Sequence, residues 1–106
     1  MKFEVTEIEI INNDQTENAE DFWITANIGI SEINGYGSEV FYVNIVGCER
    51  LRKVYNDEPV IGRGIIFMRA FDNYEVKKII NRLIEKSNAK DWNTLISNLS
   101  KYFDFL

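Results

Sequence analysis

The stretch from Val60 to Lys86 constrains the fold of this chain more than any other part of the sequence. It begins with an apolar run, Ile65-Ile66-Phe67-Met68, that has no polar interruption. This run predicts either a strand covered on both faces or a strand whose second face meets something other than water. Asp72 then provides an N-cap for a helix, because its short side chain can accept hydrogen bonds from the first free backbone N–H groups. A strand that leads into a helix in this way favours a two-layer unit, in which the helix folds back over the sheet.

Both predicted helices are amphipathic. The first should end near Ser87-Asn88, and the second should begin after Asp91 as its N-cap. In each helix the apolar residues recur at spacings of three and four, which places them on one stripe. The first stripe comprises Val76, Ile79, Ile80, Leu83 and Ile84, and the second comprises Trp92, Leu95, Ile96, Leu99 and Tyr102.

Alternation of apolar and polar residues predicts the other strands. The clearest alternation runs from Phe22 to Ile30, and a second runs from Val40 to Ile45. Asn34-Gly35 lies between them and is typical of a tight hairpin turn, so these two strands should pair antiparallel. The first strand starts near the N-terminus, and its phase slips between Val5 and Ile8, which indicates a β-bulge.

The remaining segments connect or extend these elements. Residues 12–21 are predicted as a loop, residues 49–55 as a short helical turn, and residues 103–106 as an arm that packs back on the domain. The predicted fold is α+β, an antiparallel sheet of about four strands with two C-terminal helices packed on one face. At 106 residues, the chain is expected to form a single domain over 1–106.

Composition excludes several classes of active site. The chain has no histidine, so neither a Ser-His-Asp nor a Cys-His site can form within it, and one cysteine with no histidine excludes the usual zinc sites. We predict no cofactor, no metal and no enzymatic activity, and we interpret Cys48 as a buried structural thiol. With no signal-like or membrane-spanning stretch, we expect a cytoplasmic protein that does not bind membranes.

Charge is divided unequally along the sequence. Residues 1–39 contain nine acidic residues and one basic residue, a net charge of −8, whereas the rest contains eleven basic and eight acidic residues, a net charge of +3. An acidic half repels phosphate, so direct binding of nucleic acid is not expected. It suits a basic protein partner, such as a nuclease, although it is also compatible with a solvated surface that maintains solubility.

Several short motifs, taken in order, resemble the immunity protein 8 family of bacterial polymorphic toxin and contact-dependent inhibition systems. The resemblance covers nearly the whole chain. It rests on the strand from Phe22 with Gly29 inside it, Phe41-Tyr42-Val43-Asn44-Ile45 ending at Cys48, Leu51, Gly62-Arg63, Phe71-Asp72, Trp92 and Phe103-Asp104-Phe105. It implies a small cytoplasmic protein that binds a cognate toxin domain and so protects the producing cell.

We therefore select candidate toxin-binding residues by charge and aromatic character. Acidic residues would steer a basic toxin, and exposed aromatic residues would anchor it. Arg63 has three interpretations, as a surface cation, a structural ion-pair partner or a contact residue. The candidates are Glu17, Glu20, Asp21, Trp23, Glu32, Tyr36, Glu39, Tyr42, Asp57, Glu58 and Arg63.

Two other functions remain as alternatives. One is a non-catalytic protein–protein interaction or adaptor domain, including a homodimer formed through an open sheet edge. The other is an enzyme without histidine, which would require a cleft that holds two converging carboxylates.

Overall fold

The α+β class is confirmed by the computed structural model, which describes residues 2–59 and 62–106. Within these residues, a five-stranded sheet is accompanied by three helices, two of them near the C-terminus. In chain order the elements are β1 (Phe3–Gln15), β2 (Phe22–Glu32), β3 (Ser38–Gly47), α1 (Cys48–Tyr55), β4 (Ile65–Met68), α2 (Asn73–Ser87), α3 (Trp92–Leu99) and β5 (Asp104–Phe105).

The first three strands form an antiparallel unit in which β2 lies between β1 and β3. The predicted bulge is confirmed as a register shift between Val5 and Glu7. The prediction of a loop over 12–21 is wrong for residues 12–15, which continue β1. These polar residues pair with the start of β2, and pairing between strands leaves no mark on the periodicity of the sequence.

The predicted strand in the Val60–Lys86 stretch forms as β4, but it pairs parallel with β3 instead of antiparallel. The reason is α1, which occupies the predicted helical turn and returns the chain so that β4 runs in the same direction as β3. Val60 and Ile61, which the prediction includes, lie outside the described residues. The predicted C-terminal arm is confirmed as β5, which pairs antiparallel with β3 at Phe41 and Tyr42.

The hydrophobic core lies between one face of the sheet and the helices α2 and α3. Phe41 is fully buried there and stacks on Phe103 with ring centroids 4.8 Å apart. Because both helices pack on this face, the opposite face of the same strands is left for other contacts. The core residues from the two central strands and the two helices are Phe22, Ile24, Ala26, Ile28, Ile30, Phe41, Val43, Ile45, Val76, Ile80, Ile84, Leu95 and Leu99.

Five residues of the predicted helix stripes are not fully buried. Ile79 and Tyr102 are exposed, and Leu83, Trp92 and Ile96 are half-buried. Tyr102 lies beyond the end of α3 at Leu99, so it no longer follows the helical period. Ile79 and Leu83 lie on the side of α2 nearest β4, the last strand of the sheet, where fewer neighbours cover them.

The predicted boundaries of both helices are confirmed by their caps. The Asp72 carboxylate accepts hydrogen bonds from the backbone N–H groups of Tyr74 and Glu75, and Asp91 accepts one from Thr94. Asn88 ends α2 in the left-handed conformation with φ of 50°. Each polar cap satisfies a backbone group that the helix itself leaves free.

The prediction that Cys48 is buried is wrong, because the structure exposes it. Cys48 does not belong to the alternation of β3. It is the first residue of α1, and its Sγ lies 3.9 Å from the carbonyl oxygen of Met68.

Candidate functional site

The sheet face opposite α2 and α3 presents side chains that are mostly exposed or half-buried, and we call it the open face. Its residues alternate along each strand with those of the core. Val46 follows this alternation onto the open face but is fully buried, because it lies near the end of β3, just before α1 begins. The open face comprises Glu4, Glu7, Glu9, Asn12 and Asp14 on β1; Trp23, Thr25, Asn27, Gly29 and Ser31 on β2; Ser38, Val40, Tyr42, Asn44 and Val46 on β3; Ile65 and Phe67 on β4; and Asp104 on β5.

A hydrogen-bonded cluster of polar and aromatic side chains occupies the middle of the open face. The Oδ1 atom of Asn44 accepts a hydrogen bond from Trp23 Nε1 at 3.0 Å and another from Thr25 Oγ1 at 2.8 Å. The Nδ2 atom of Asn44 donates to the hydroxyl of Tyr42 at 3.4 Å. These contacts fix the indole and phenol rings before any partner arrives, which lowers the entropy cost of binding.

The β1 side of the open face is acidic. Glu4, Glu7 and Glu9 are exposed, and within residues 2–59 and 62–106 none of them makes an ion pair. Glu7 and Glu9 line a shallow depression of about 380 Å³ together with Asn27, Gly29, Ser38, Glu39, Val40 and Leu106. No lysine or arginine occurs at any of the strand positions that define the open face.

The open face is bounded at one end by an ion-pair cluster that ties α1 to the sheet. Asp21 accepts hydrogen bonds from Lys53 Nζ at 2.7 Å and from Arg50 Nε at 2.6 Å, and Arg50 also reaches Asp14 at 2.8 Å. The hydrogen bonds from Lys53 and Arg50 hold the pKa of Asp21 below its ordinary value. The hydrogen bonds to Asp14 and Asp21 raise the pKa of Arg50.

Two of the candidate residues predicted from the sequence, Trp23 and Tyr42, lie on the open face and belong to its hydrogen-bonded cluster. Glu39 pairs with the core residue Ile30, so it does not alternate onto the open face, although it lines the depression beside Glu7 and Glu9. Their role in binding a toxin stays a prediction.

Six further candidates, five acidic residues and Tyr36, lie at the two opposite ends of the sheet. Glu17, Glu20, Asp57 and Glu58 are in the loops near α1, whereas Glu32 and Tyr36 are at the β2–β3 hairpin. The 11 residues of β2 separate these ends by roughly 35 Å. Tyr36 is fully exposed there. The sequence-predicted candidates therefore do not form one contiguous patch.

Asp21 and Arg63 are already engaged within the chain. Asp21 is only 5% exposed, and its carboxylate is held by Lys53 and Arg50. Arg63 forms an ion pair with Asp104 at 2.6 Å and donates to the carbonyl oxygens of Ser100 and Phe103. Of the three interpretations of Arg63, the structural ion-pair partner describes these contacts.

Residues that the sequence-based selection missed form much of the open face. Glu4, Glu7, Thr25, Asn27 and Asn44 were not selected, although each faces the same side of the sheet as Trp23. The signal was the alternation itself, since every second residue of a strand with one buried face points to the other face. Placing β1 correctly also required its bulge, which shifts the phase by one residue.

The side chains of the described residues limit which kinds of site and activity are possible. In the described part of the chain, no three of the residues His, Cys, Asp and Glu come together to hold a metal ion. Among the same residues, no helix has both the length and the apolar character needed to cross a membrane. The carboxylates at the depression lie on a solvent-facing sheet surface, which does not favour the carboxylate-based enzyme, because such catalysis needs a site that excludes water.

Comparison with known proteins identifies one family. A family model described as Immunity protein 8 matches residues 2–105. No curated protein sequence and no solved structure gives a significant match.

Proposed function

Because the chain belongs to the Immunity protein 8 family, we propose that it protects the cell that makes it by binding a cognate toxin domain in the cytoplasm and blocking its action. The proposed partner is a protein with a basic binding surface, such as a nuclease domain, whose nucleic acid substrate is itself anionic. Inhibition of this kind requires a stable, complementary surface and no catalytic group.

The observation that carries this proposal is the combination found on the open face. A preorganised cluster around Asn44 presents Trp23 and Tyr42, and beside it β1 presents Glu4, Glu7 and Glu9 without neutralising partners in the described chain. Aromatic side chains are the residues that most often carry binding energy in interfaces. Unpaired carboxylates accelerate encounter with a cationic partner and disfavour anionic ones.

The remaining acidic candidates fit this proposal as a wider electrostatic field. Glu17 and Glu58 add negative charge at the α1 end, where Glu20 and Asp57 are ion-paired with Arg69 and Arg52, and Glu32 adds it at the hairpin end. These residues would steer the toxin toward the open face, and direct contact is assigned to the open face alone. Asp21 and Arg63 would act indirectly, by holding α1 and the C-terminal segment in place.

The first experiment asks whether the chain neutralises a toxin. The toxin domain encoded beside this protein is expressed in a sensitive strain, with and without the protein, and the two proteins are purified together. We expect growth to be rescued and a stable complex to be recovered. If both proteins are folded and growth is not rescued, the proposed function is wrong.

The second experiment tests the open face with a charge-matched pair of variants. Glu7→Lys with Glu9→Lys reverses two charges on the open face, whereas Glu75→Lys with Glu85→Lys makes the same change on exposed positions of α2. We expect the first pair to slow association about tenfold at low salt and the second pair to change it much less. High salt should reduce the difference, because it screens exposed charges. Equal slowing by both pairs would show that only net charge matters.

A further inference from the structure

Among the described residues, the edge of the sheet at β4 has backbone groups without a hydrogen-bond partner. Asn44 N–H donates to the carbonyl oxygen of Gly64 at 2.9 Å, and β4 is the last strand in the sheet order of the described residues. Because backbone groups alternate direction along a strand, the N–H and C=O groups of Ile65 and Phe67 point away from β3. Such a row of free groups is a template on which another strand can pair.

A groove with apolar side chains lies beside this edge, and we call it the β4 groove. It has a volume of about 550 Å³ and is lined by residues 62–67 together with Ile79, Leu83, Lys101, Tyr102 and Phe103. Phe67, Ile79 and Tyr102 are 44%, 41% and 49% exposed, respectively. Apolar side chains from β4, α2 and the segment after α3 therefore face solvent together, which is the arrangement that receives alternate side chains of an added strand.

The opposite edge of the sheet lacks this character. β1 has two register shifts, and glutamates alternate along it at Glu4, Glu7 and Glu9. Bulges and edge charges are features that hinder the pairing of a further strand. β4 has neither feature between Ile65 and Met68, so the two edges of one sheet differ in their capacity to accept a partner strand.

Charge around the β4 groove is positive. Lys101 lines the groove, and Lys78 and Arg82 lie with Phe67 and Ile79 around the adjoining depression, where Glu75 is the one carboxylate of the lining. Within the described chain, Lys78, Arg82 and Lys101 make no ion pair. These cations attract a segment in the groove that carries carboxylates, and they repel a basic segment.

We propose that the β4 groove is a second docking site, which takes an extended, acidic segment of a partner protein as an added strand of the sheet. The backbone of the segment bonds to Ile65 and Phe67. Its apolar side chains contact Phe67, Ile79 and Tyr102, and its carboxylates approach the three free cations. The groove meets the proposed toxin surface only at Ile65 and Phe67, which line the groove and also belong to the β4 edge of the open face. It differs from the acidic β1 side of that face in the sign of its charge.

The test uses the full chain and a displayed library of random peptides of about ten residues, long enough to form one strand. Peptides selected on the wild-type protein are tested against Ile79→Glu, which places a carboxylate in the groove. Val54→Glu is the matched control, since Val54 is an exposed apolar residue of α1. We expect selected peptides to alternate apolar and acidic residues, and Ile79→Glu to weaken them about tenfold or more, the loss of one apolar anchor. Val54→Glu should leave their affinity unchanged.

Amide hydrogen exchange then tests the geometry of pairing. A bound peptide should slow exchange at Ile65 and Phe67, whereas the Ile66 amide, which faces β3, should change little. The proposal is overturned if no selected peptide depends on Ile79, or if the dependent peptides are basic. A concentration-dependent mass that Ile79→Glu abolishes would assign the edge to a second copy of the chain, which also overturns it. None of these results would affect toxin rescue through the open face, so the two proposals fail separately.

Discussion

Successive residues of β2 lie in two different environments, although they are only about 3.4 Å apart along the strand. Ile24, Ala26, Ile28 and Ile30 are fully buried under α2 and α3. Their neighbours Trp23, Thr25, Asn27 and Gly29 lie on the open face and are half-buried. One face of the strand consists of apolar groups and excludes water. The other face presents polar groups that form hydrogen bonds with neighbouring polar groups.

This difference separates the requirements of folding from those of recognition. The core face contributes the apolar burial that stabilises the domain, and substitutions there leave cavities. The open face contributes little such burial, so apolar burial does not account for its polar residues. Asn44 makes the distinction concrete, because it receives two hydrogen bonds and orients two aromatic side chains without entering the core.

The largest expected effect compares two adjacent residues of β2. Ile28→Ala truncates a fully buried side chain and should lower the free energy of unfolding by about 2–5 kcal/mol, because a cavity remains in the core. Asn27→Ala changes the neighbouring open-face position and should stay within about 0.5 kcal/mol of wild type. Urea denaturation measures both variants. Equal losses would mean that the open face contributes to folding as much as the core does.

Apolar periodicity was sufficient to predict the core face and the two helices that cover it. Burial imposes a period of two on β2 and β3 and a period near 3.6 on α2, and both periods are visible in one sequence. The parallel pairing of β4 was not visible, because it depends on the path of α1 between two strands. Tyr102 was assigned to the core because the pattern alone does not show that α3 ends at Leu99.

The candidate site was predicted less well than the fold, for a physical reason. A count of acidic residues along the chain places Glu20 and Glu32 in one predicted surface, although they lie at opposite ends of β2. The same count includes Asp21, whose charge is neutralised within the molecule by ion pairs with Lys53 and Arg50. Side chains form a surface only through strand register and tertiary ion pairs, and neither is encoded in local composition.

A smaller loss of stability is expected when a glycine on each face of the sheet is replaced by alanine. A Cβ atom at Gly47 would overlap the backbone carbonyl oxygen of Glu20, which accepts a hydrogen bond from the N–H of Glu49 and cannot easily move. Gly47→Ala should therefore cost about 1–3 kcal/mol through overpacking. At Gly29 on the open face, the nearest atom is Glu7 Cβ at 3.3 Å, in an exposed edge strand.

Gly29→Ala is the matched control for this prediction. It should cost less than about 1 kcal/mol, because the edge strand can adjust and alanine loses less backbone entropy on folding. Thermal and urea unfolding of both variants check the difference. A Gly29→Ala variant as unstable as Gly47→Ala would show that the open face is packed as tightly as the core face.

The last comparison concerns the hydrogen-bonded cluster of the open face, where each single substitution should have a smaller effect than Ile28→Ala or Gly47→Ala. Trp23→Phe removes one donor to Asn44 Oδ1 together with part of the aromatic ring system, and Thr25→Val removes the other donor with almost no change of shape. Each single variant should cost about 0.5–1.5 kcal/mol, since one donor remains. The double variant leaves the oxygen without either donor, so its loss should exceed the sum of the two single losses. Simple additivity in this double-mutant cycle would indicate that solvent replaces the missing donors. The open face would then be oriented less strongly by Asn44 than its geometry indicates.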